Sequence, residues 1–293
     1  MPLLASPLCC IDGSPASLHA LDQLIDKAGK DMRLTLAGVV PPLSMDYQGA
    51  TVPDQLIEDE QDMAQALMRM LEDYRDKARE AGIETEISLQ HGHPHERIVD
   101  LAAQTKASVI VLGAKHEGEF RRRFLGSTTS RVIGFAHRDV LMIPEGVPLR
   151  MDPVLVATDG SEYAARAVNR AVALCSSRDS RLLALSVTAG PSGLDVAPLP
   201  SRAVASMDEG AEQVLDRVRS TAEAAGVSLK QSIIRRGRPA EQIAEVAEEL
   251  RAGLVVVGSH GRTGLTRLLM GSVTERLLEL APCPVLVVPP PAS

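Results

Sequence analysis

The stretch LVVVGSHGRTGLTRLLMGSVT, residues 254–274, decides how the rest of this sequence is interpreted. The β-branched run Leu254–Val257 predicts a strand buried on both faces, and a helical pattern begins at Ser272. Between them lies a polar segment that contains several glycines. A glycine-rich loop between a strand and a helix is suited to phosphate, because unpaired backbone N–H groups and the positive end of the helix dipole meet there. The alternative is an ordinary loop whose glycines only make turns.

The glycine spacing G-x2-G-x9-G-S that begins at Gly258 resembles the nucleotide-binding signature of the ATP-binding branch of the universal stress protein family. Residues 154–161, VLVATDGS, resemble the first strand and turn of that family, and residues 281–289, APCPVLVVP, resemble its last strand. The three blocks follow one another in the family's order, and a weaker copy of them spans the N-terminal half.

The composition predicts a globular protein of about two domains. The chain has 293 residues, a formal net charge of −7, 2% aromatic residues and no Trp. The acidic balance and the lack of aromatic stacking groups argue against a nucleic-acid partner. The sequence has neither an apolar stretch of about 18 residues nor a basic export signal, so we expect a cytoplasmic protein without a membrane partner. The four cysteines have no metal-binding spacing, and we expect them to be buried apolar residues.

The chain is an internal duplication. Residues 89–144 align without a gap to residues 234–289, and 17 of these 56 positions are identical. Near the repeat starts, IDGS at 11–14 aligns with TDGS at 158–161. A short proline-bearing segment joins the copies, and we place the domains at residues 1–147 and 148–293.

Each repeat alternates five apolar strands with four amphipathic helices. In the N-terminal repeat, for example, strands are predicted at Leu3–Ile11 and Ser108–Leu112. This alternation predicts an α/β fold of two tandem doubly wound, Rossmann-like domains, each a five-stranded, mainly parallel sheet with helices on both faces. The family resemblance implies the same fold, of the adenine nucleotide α-hydrolase type.

Ligands in such sheets bind beyond the carboxyl ends of the strands, where the strand order reverses. If the first and fourth strands are neighbours, Asp159 and the glycine loop lie on the same rim. Apolar Val187 and Val257 would flank an adenine, although both could equally be core residues. Asp159 would hydrogen-bond the nucleotide or the backbone, hold Mg²⁺ through water, or only cap the following helix. The predicted nucleotide-contacting residues are Ala157, Thr158, Asp159, Val187, Val257, Gly258, Ser259, His260, Gly261, Gly271, Ser272, Val273 and Thr274.

Within this set, main-chain amides are expected to carry the phosphates. The hydroxyls of Ser272 and Thr274 would add donors, and His260 and Arg262 would add charge or hydrogen bonds. The family resemblance implies the same positions and an adenine nucleotide as ligand: ATP, or AMP or ADP. Whether Mg²⁺ accompanies it is open.

The N-terminal repeat keeps only part of this pattern. His116 replaces the second glycine, which adds a side chain where a backbone must approach closely. The following loop carries Glu117 and Glu119, which oppose a polyphosphate, and three arginines that either compensate or form a solvated face. We therefore expect weak or altered binding there, of AMP, of another anion or of nothing. The residues of this weaker second site are Asp12, Val39, Gly113, Gly126, Ser127 and Thr129.

The segment HGHPHE, with His91, His93 and His95, could suggest a metal. The equivalent stretch of the C-terminal repeat has arginines and no ligand set, so no metal is predicted. These histidines could instead line the crevice of the N-terminal repeat.

Three functions fit the sequence. The first, which the resemblance favours, is a nucleotide-dependent stress-response switch or sensor without efficient chemistry. The second is a slow ATPase or another nucleotide-processing enzyme, although the sequence has no P-loop lysine and no acid–base pair. The third is a pseudo-dimeric scaffold that does not depend on nucleotide.

The resemblance also implies that the repeats form an intramolecular pseudo-dimer through their last strands, Val140–Ile143 against Val285–Val288. These apolar edges need a partner. Further association into a homodimer is left open.

Overall fold

A computed structural model describes residues 3–29, 31–43, 54–116, 123–124, 126–188, 201–261 and 270–290. The N-terminal repeat contains β1 (Pro7–Ile11), α1 (Pro15–Asp26), β2 (Arg33–Val40), α2 (Asp54–Glu80), β3 (Glu84–His91), α3 (Pro94–Gln104), β4 (Val109–His116), β5 (Arg123–Phe124), α4 (Ser127–Phe135) and β6 (Val140–Pro144). The C-terminal repeat contains β7 (Val154–Ala157), α5 (Glu162–Arg178), β8 (Leu182–Thr188), α6 (Ser201–Ala224), β9 (Leu229–Arg236), α7 (Pro239–Glu249), β10 (Leu254–Gly258), α8 (Ser272–Leu280) and β11 (Val285–Val288).

The strands of both repeats form one continuous sheet, in the order β3-β2-β1-β4-β6-β11-β10-β7-β8-β9. Within each repeat all pairs along this order are parallel. The first strand of each repeat, β1 or β7, lies beside the fourth, β4 or β10. The strand order therefore reverses where the sequence predicts, and the doubly wound α/β prediction is confirmed.

The repeats join through β6 and β11, which pair antiparallel with Leu141 opposite Leu286. Each of these two residues is fully buried. The predicted pairing of the last strands is therefore confirmed. Because the junction is antiparallel, the strands of one repeat point opposite to those of the other.

The helices cover both faces of the sheet. Helices α1, α2, α5 and α6 pack on one face, over a core that includes Leu21, Leu71 and Val218. Helices α3, α4, α7 and α8 pack on the other, over a core that includes Val132 and Val246. Amphipathic stripes on the helices and nearly continuous apolar strands account for these two layers.

The structure differs from the sequence-based prediction at two strands of the N-terminal repeat. The first begins at Pro7 and not at Leu3, because the segment before it turns inward: the Ser108 hydroxyl donates to the Leu3 carbonyl at 2.7 Å. The fourth runs on to His116 and not only to Leu112, because its end pairs antiparallel with the short strand β5. No such antiparallel strand was predicted.

Polar contacts also link the repeats. Arg170 of α5 reaches across the junction, and its Nε lies 2.5 Å from Oδ2 of Asp139, which directly precedes β6. Burial raises the pKa of the Asp139 carboxyl, and the Arg170 guanidinium opposes that rise. On the other side, Gln23 of α1 accepts a hydrogen bond from the Leu149 N–H at 2.8 Å. Arg170 and Gln23 occupy equivalent positions of the two repeats. The same position therefore contacts the junction through an ion pair in one repeat and through a hydrogen bond in the other.

None of the four cysteines forms a disulfide, and Cys9, Cys175 and Cys283 are buried, as predicted, whereas Cys10 is half-buried. Within the described ranges, none of the helices combines the length and the apolar character needed to span a membrane.

We expect Arg170→Met to lower the free energy of unfolding by about 2–4 kcal/mol, because it leaves the Asp139 carboxylate buried without its main partner. The control is Arg181→Met, which breaks the solvent-exposed pair between Arg181 and Asp152 and should change stability much less. Urea denaturation of the full chain measures both, and an equal loss in the two variants would contradict the prediction.

Candidate functional site

A cavity of about 270 Å³ lies at the carboxyl ends of β7 and β10, where the strand order of the C-terminal repeat reverses. One side is formed by the turn after β7, and the other by the turn after β10 together with the start of α8. Twelve of the predicted nucleotide-contacting residues line it: Ala157, Thr158, Asp159, Val187, Val257, Gly258, His260, Gly261, Gly271, Ser272, Val273 and Thr274. Ser259 does not line the cavity and is buried behind it.

The turn after β7 is held by its own side chains. The Thr158 hydroxyl accepts from the Gly160 N–H at 3.2 Å, and Oδ1 of Asp159 accepts from the Ser161 N–H at 2.9 Å. The Ser161 hydroxyl in turn caps α5 by accepting from the Ala164 N–H. Gly160 has a φ of +78°, a conformation that side chains disfavour. Oδ1 of Asp159 thus has the capping role that the sequence left as an alternative.

The turn after β10 brings Gly258 against the first turn of α5. A Cβ on Gly258 would lie 3.2 Å from the Tyr163 carbonyl oxygen, so only glycine allows this approach without adjustment. The next side chains form a short chain: the Ser259 hydroxyl lies 2.9 Å from His260 Nδ1, and the His260 ring centroid lies 6.0 Å from that of Tyr163. His260 Nε2 is buried and has no hydrogen-bond partner among the residues that the structure describes.

The start of α8 faces the same cavity. Its first intrahelical hydrogen bond runs from the Glu275 N–H to the Gly271 carbonyl at 3.0 Å. The amides of Ser272, Val273 and Thr274 therefore precede the helical ladder, as the first N–H groups of any helix do. Gly271 is drawn back to the turn after β10, because its N–H donates to the Ser259 carbonyl at 2.9 Å.

The Thr274 hydroxyl, for which a phosphate contact was predicted, makes a hydrogen bond within the protein. Thr274 is buried, and its hydroxyl donates to the Gly258 carbonyl at 2.8 Å. This hydrogen bond links α8 to the end of β10, so the side chain positions the start of the helix at the cavity. Ser272, whose side chain is exposed, keeps its hydroxyl on the cavity side.

Sequence reasoning missed four lining residues: Ala164, Leu185, Pro239 and Ile243. Leu185 and Ile243 are buried and extend the apolar wall begun by Val187 and Val257. The duplication carried a signal for two of them. Pro239 and Ile243 align with Pro94 and Ile98, which line the corresponding cavity of the N-terminal repeat.

The N-terminal cavity, about 430 Å³ in volume, lies at the equivalent reversal between β1 and β4. Four of the residues predicted for the weaker second site line it: Asp12, Val39, Gly113 and Thr129. The other two, Gly126 and Ser127, are not among the lining residues, although Gly126 caps α4 and Ser127 is its first residue.

Gly113 is a packing residue. A Cβ there would lie 2.3 Å from the backbone carbon and oxygen of Ala16, so the first turn of α1 rests directly on β4. At the counterpart Gly258 the nearest distance for an added Cβ is 3.2 Å, which is closer to a normal contact. Both glycines therefore let the first helix of their repeat approach the fourth strand, and the approach is tighter at Gly113.

The three histidines of HGHPHE do not converge. The ring centroids of His93 and His95 are 6.0 Å apart, and His95 lies 5.8 Å from Phe135. His91 Nδ1 lies 3.9 Å from Oε1 of Glu60. Among the described residues there is no group of three or more His, Cys, Asp or Glu side chains that could hold a metal ion.

Several residues named from the sequence lie outside the described part of the chain. They are Arg262, Gly264, Glu117, Gly118, Glu119, Phe120, Arg121 and Arg122.

We expect Gly113→Ala to lower the free energy of unfolding by about 3 kcal/mol or more, because the added methyl overlaps the backbone of α1. Gly126→Ala is the matched control: nothing lies within 4 Å of its added Cβ, and its φ is −58°. It should cost at most about 1 kcal/mol, from the weaker helix cap. Thermal or urea denaturation decides, and similar losses in both variants would contradict this account of Gly113.

We expect Thr274→Val to lower the free energy of unfolding by about 1–3 kcal/mol, since it removes the buried donor to the Gly258 carbonyl while keeping the shape of the side chain. The control is Thr221→Val, whose hydroxyl makes an exposed bond to the Arg217 carbonyl on α6. A loss for Thr274→Val no larger than that for Thr221→Val would show that the buried bond does not hold the turn.

Comparison with known proteins matches both repeats. The sequence profile described as the universal stress protein family matches residues 8–144 and again residues 151–289. A universal stress protein from Mycobacterium tuberculosis is 31% identical over 292 residues, which cover 94% of each chain. Another, from Methanocaldococcus jannaschii, is 35% identical over 146 residues, which cover 47% of this chain and 82% of the relative.

A solved structure has the same fold over the whole chain. The crystal structure of a universal stress protein from Archaeoglobus fulgidus superimposes with a TM-score of 0.73 and 22% identity, covering 97% of this chain and 98% of that one. With two profile matches over most of its length, this chain belongs to the universal stress protein family.

Proposed function

We propose that the C-terminal repeat binds an adenine nucleotide, ATP foremost, and that the protein is a stress-response switch whose state depends on that nucleotide. One observation carries the proposal. The amides that begin α8 and the Gly258–Gly261 turn meet at one end of a cavity whose inner wall is apolar. Such a combination offers an anion site beside a site for a planar ring.

The phosphates would lie at the amides of Ser272, Val273 and Thr274, where the positive end of the α8 dipole adds to the attraction. The adenine would pack between Ala157, Val187 and Val257. Ala157 and Val257 are buried at the ends of neighbouring strands, so their side chains offer fixed apolar contact.

His260 would donate to or accept from the nucleotide through Nε2. This atom is buried and without a partner in the described part of the chain, which is costly unless a ligand supplies one. Gly261 lets this turn pass close to the turn after β7, because a Cβ there would lie 3.0 Å from Oδ2 of Asp159.

Mg²⁺ would depend on the nucleotide for most of its ligands. Asp159 supplies the one carboxylate among the residues that line this cavity. A single carboxylate with phosphate oxygens and water is a common environment for Mg²⁺.

A switch is favoured over an efficient enzyme by the surroundings of His260. Its Nδ1 lies beside the Ser259 hydroxyl, and among the described contacts no carboxylate orients the ring as a general base requires. We expect hydrolysis of bound ATP to be very slow, which measurement of phosphate release in a single turnover would test.

The experiment that tests the nucleotide site is Ser272→Asp. Ser272 is exposed at the first position of α8, where a carboxylate favours helix stability but repels phosphate. We expect its affinity for ATP, measured by calorimetry, to fall at least about tenfold, with no loss in melting temperature without nucleotide.

The matched control is Ser127→Asp, the same change at the first position of α4 in the other repeat. It should leave the affinity of the C-terminal site unchanged. Unaltered ATP binding in Ser272→Asp, or its loss only in Ser127→Asp, would overturn the assignment. Mass spectrometry of the ligand retained through native purification identifies the nucleotide in each variant.

The residues of the weaker second site, Asp12, Val39, Gly113, Gly126, Ser127 and Thr129, keep only part of the phosphate-binding pattern, so we expect little or no binding of ATP there. Calorimetry of the Ser272→Asp variant at high ATP concentration measures what remains.

A further inference from the structure

The cavity of the N-terminal repeat differs from its counterpart in size and in one wall. It measures about 430 Å³ against about 270 Å³. A volume of this order is typical of pockets for small molecules. Binding at this cavity does not depend on whether the C-terminal repeat binds ATP.

The additional wall comes from α2. Met63, Ala66, Leu67 and Met70 line the cavity, and their spacing of three, four and seven residues places them on one face of the helix. Met70 lies over the turn after β1, since its Cε would be 3.3 Å from a Cβ on Gly13. Methionine side chains are flexible and polarizable, so this wall can adapt to different apolar shapes.

The equivalent face of α6 is smaller. The positions equivalent to Met63, Ala66, Leu67 and Met70 are Met207, Gly210, Ala211 and Val214. None of these four is among the described residues that line the C-terminal cavity. Three of the four side chains are therefore larger in the N-terminal repeat, where the helix face forms a wall of the cavity.

The phosphate-binding turn is also altered in the N-terminal repeat. Where the C-terminal chain leaves the sheet at Gly258, β4 continues for three residues beyond Gly113. Its last two residues, Lys115 and His116, pair with β5. This part of the backbone therefore lies in a strand pair, whereas its counterpart in the C-terminal repeat lies in the turn that borders the cavity.

The polar end of the cavity carries a negative charge. Although burial raises it, hydrogen bonds from Ser14 and Ser17 and the nearby Lys115 hold the pKa of Asp12 below its usual value. The other polar side chains there, Ser17, Thr128 and Thr129, are neutral. This end suits a ligand that donates one hydrogen bond to the carboxylate.

We propose that the N-terminal repeat is a binding site for an uncharged, mainly apolar small molecule, held between the Met63–Met70 face of α2 and the carboxyl ends of β1, β2 and β4. The ligand places its apolar body against Met63, Leu67 and Met70 and a hydrogen-bond donor toward Asp12. The protein would then respond to two ligands of different chemistry, one in each repeat.

The probe for this test is N-phenyl-1-naphthylamine, an uncharged apolar fluorophore with one N–H group whose emission rises in apolar surroundings. We expect saturable binding of one molecule per full-length chain, with a dissociation constant on the order of 10 μM. Met63→Asp, which places a carboxylate in the apolar wall, should weaken this binding about tenfold or more.

The matched control is Met207→Asp on α6. Met63 and Met207 have nearly equal exposed fractions, 38% and 37%, but Met207 does not line either cavity. The dissociation constant of the probe from the Met207→Asp variant should stay within about twofold of that of the parent chain. Ala66→Phe, which places a ring at an exposed position of the cavity wall, should block the probe while the melting temperature is kept.

Three results would overturn the proposal. They are the absence of saturable binding, an equal loss in Met63→Asp and Met207→Asp, and displacement of the probe by excess ATP from the Ser272→Asp variant. The last would show that the cavity is a nucleotide site after all.

Discussion

The antiparallel pairing of β6 with β11 is the interaction on which the molecule depends. Each repeat ends in a fully apolar strand, and an unpaired strand of this kind would expose a row of backbone donors and acceptors beside buried side chains. Pairing them within one chain removes both edges and fuses two small sheets into one. The ends of the fused sheet are the more exposed strands β3 and β9, which carry charged residues such as Glu84 and Arg236.

The same duplication places a crevice in each repeat, and packing at a glycine sets the depth of each. At Gly113 and Gly258 a helix start approaches the fourth strand until no Cβ fits without adjustment. The approach brings the Asp-Gly-Ser turn, which ends the first strand, beside the turn that follows the fourth. This backbone contact is common to both repeats, whereas the chemistry of each crevice depends on the side chains of the segments around it.

Much of the fold could be predicted from the sequence, because local patterns and the duplication agree. The last strands were predicted at Val140–Ile143 and Val285–Val288, and the structure has them at Val140–Pro144 and Val285–Val288, paired as predicted. The location of the candidate site followed from strand order, which the alternation of strands and helices nearly fixes. The positions of glycine and serine residues predicted that the turn after β7 and the start of α8 line this site.

What could not be predicted depends on contacts between segments far apart in the sequence. The Thr274 hydroxyl could have faced a ligand as easily as the Gly258 carbonyl, and only the packed turn decides between them. Leu185 and Ile243 belong to regular apolar patterns that look the same in a core and in a cavity wall. The strand β5 has two residues, too few for any periodic signal.

The reversal of strand direction at the junction determines where the two crevices open. Strands of the two repeats run oppositely, so their carboxyl ends, and with them the two crevices, open on opposite rims of the shared sheet. Any coupling between a ligand in one crevice and the other crevice would therefore pass through the intervening β-strands, or through contacts across the junction such as that of Arg170 with Asp139.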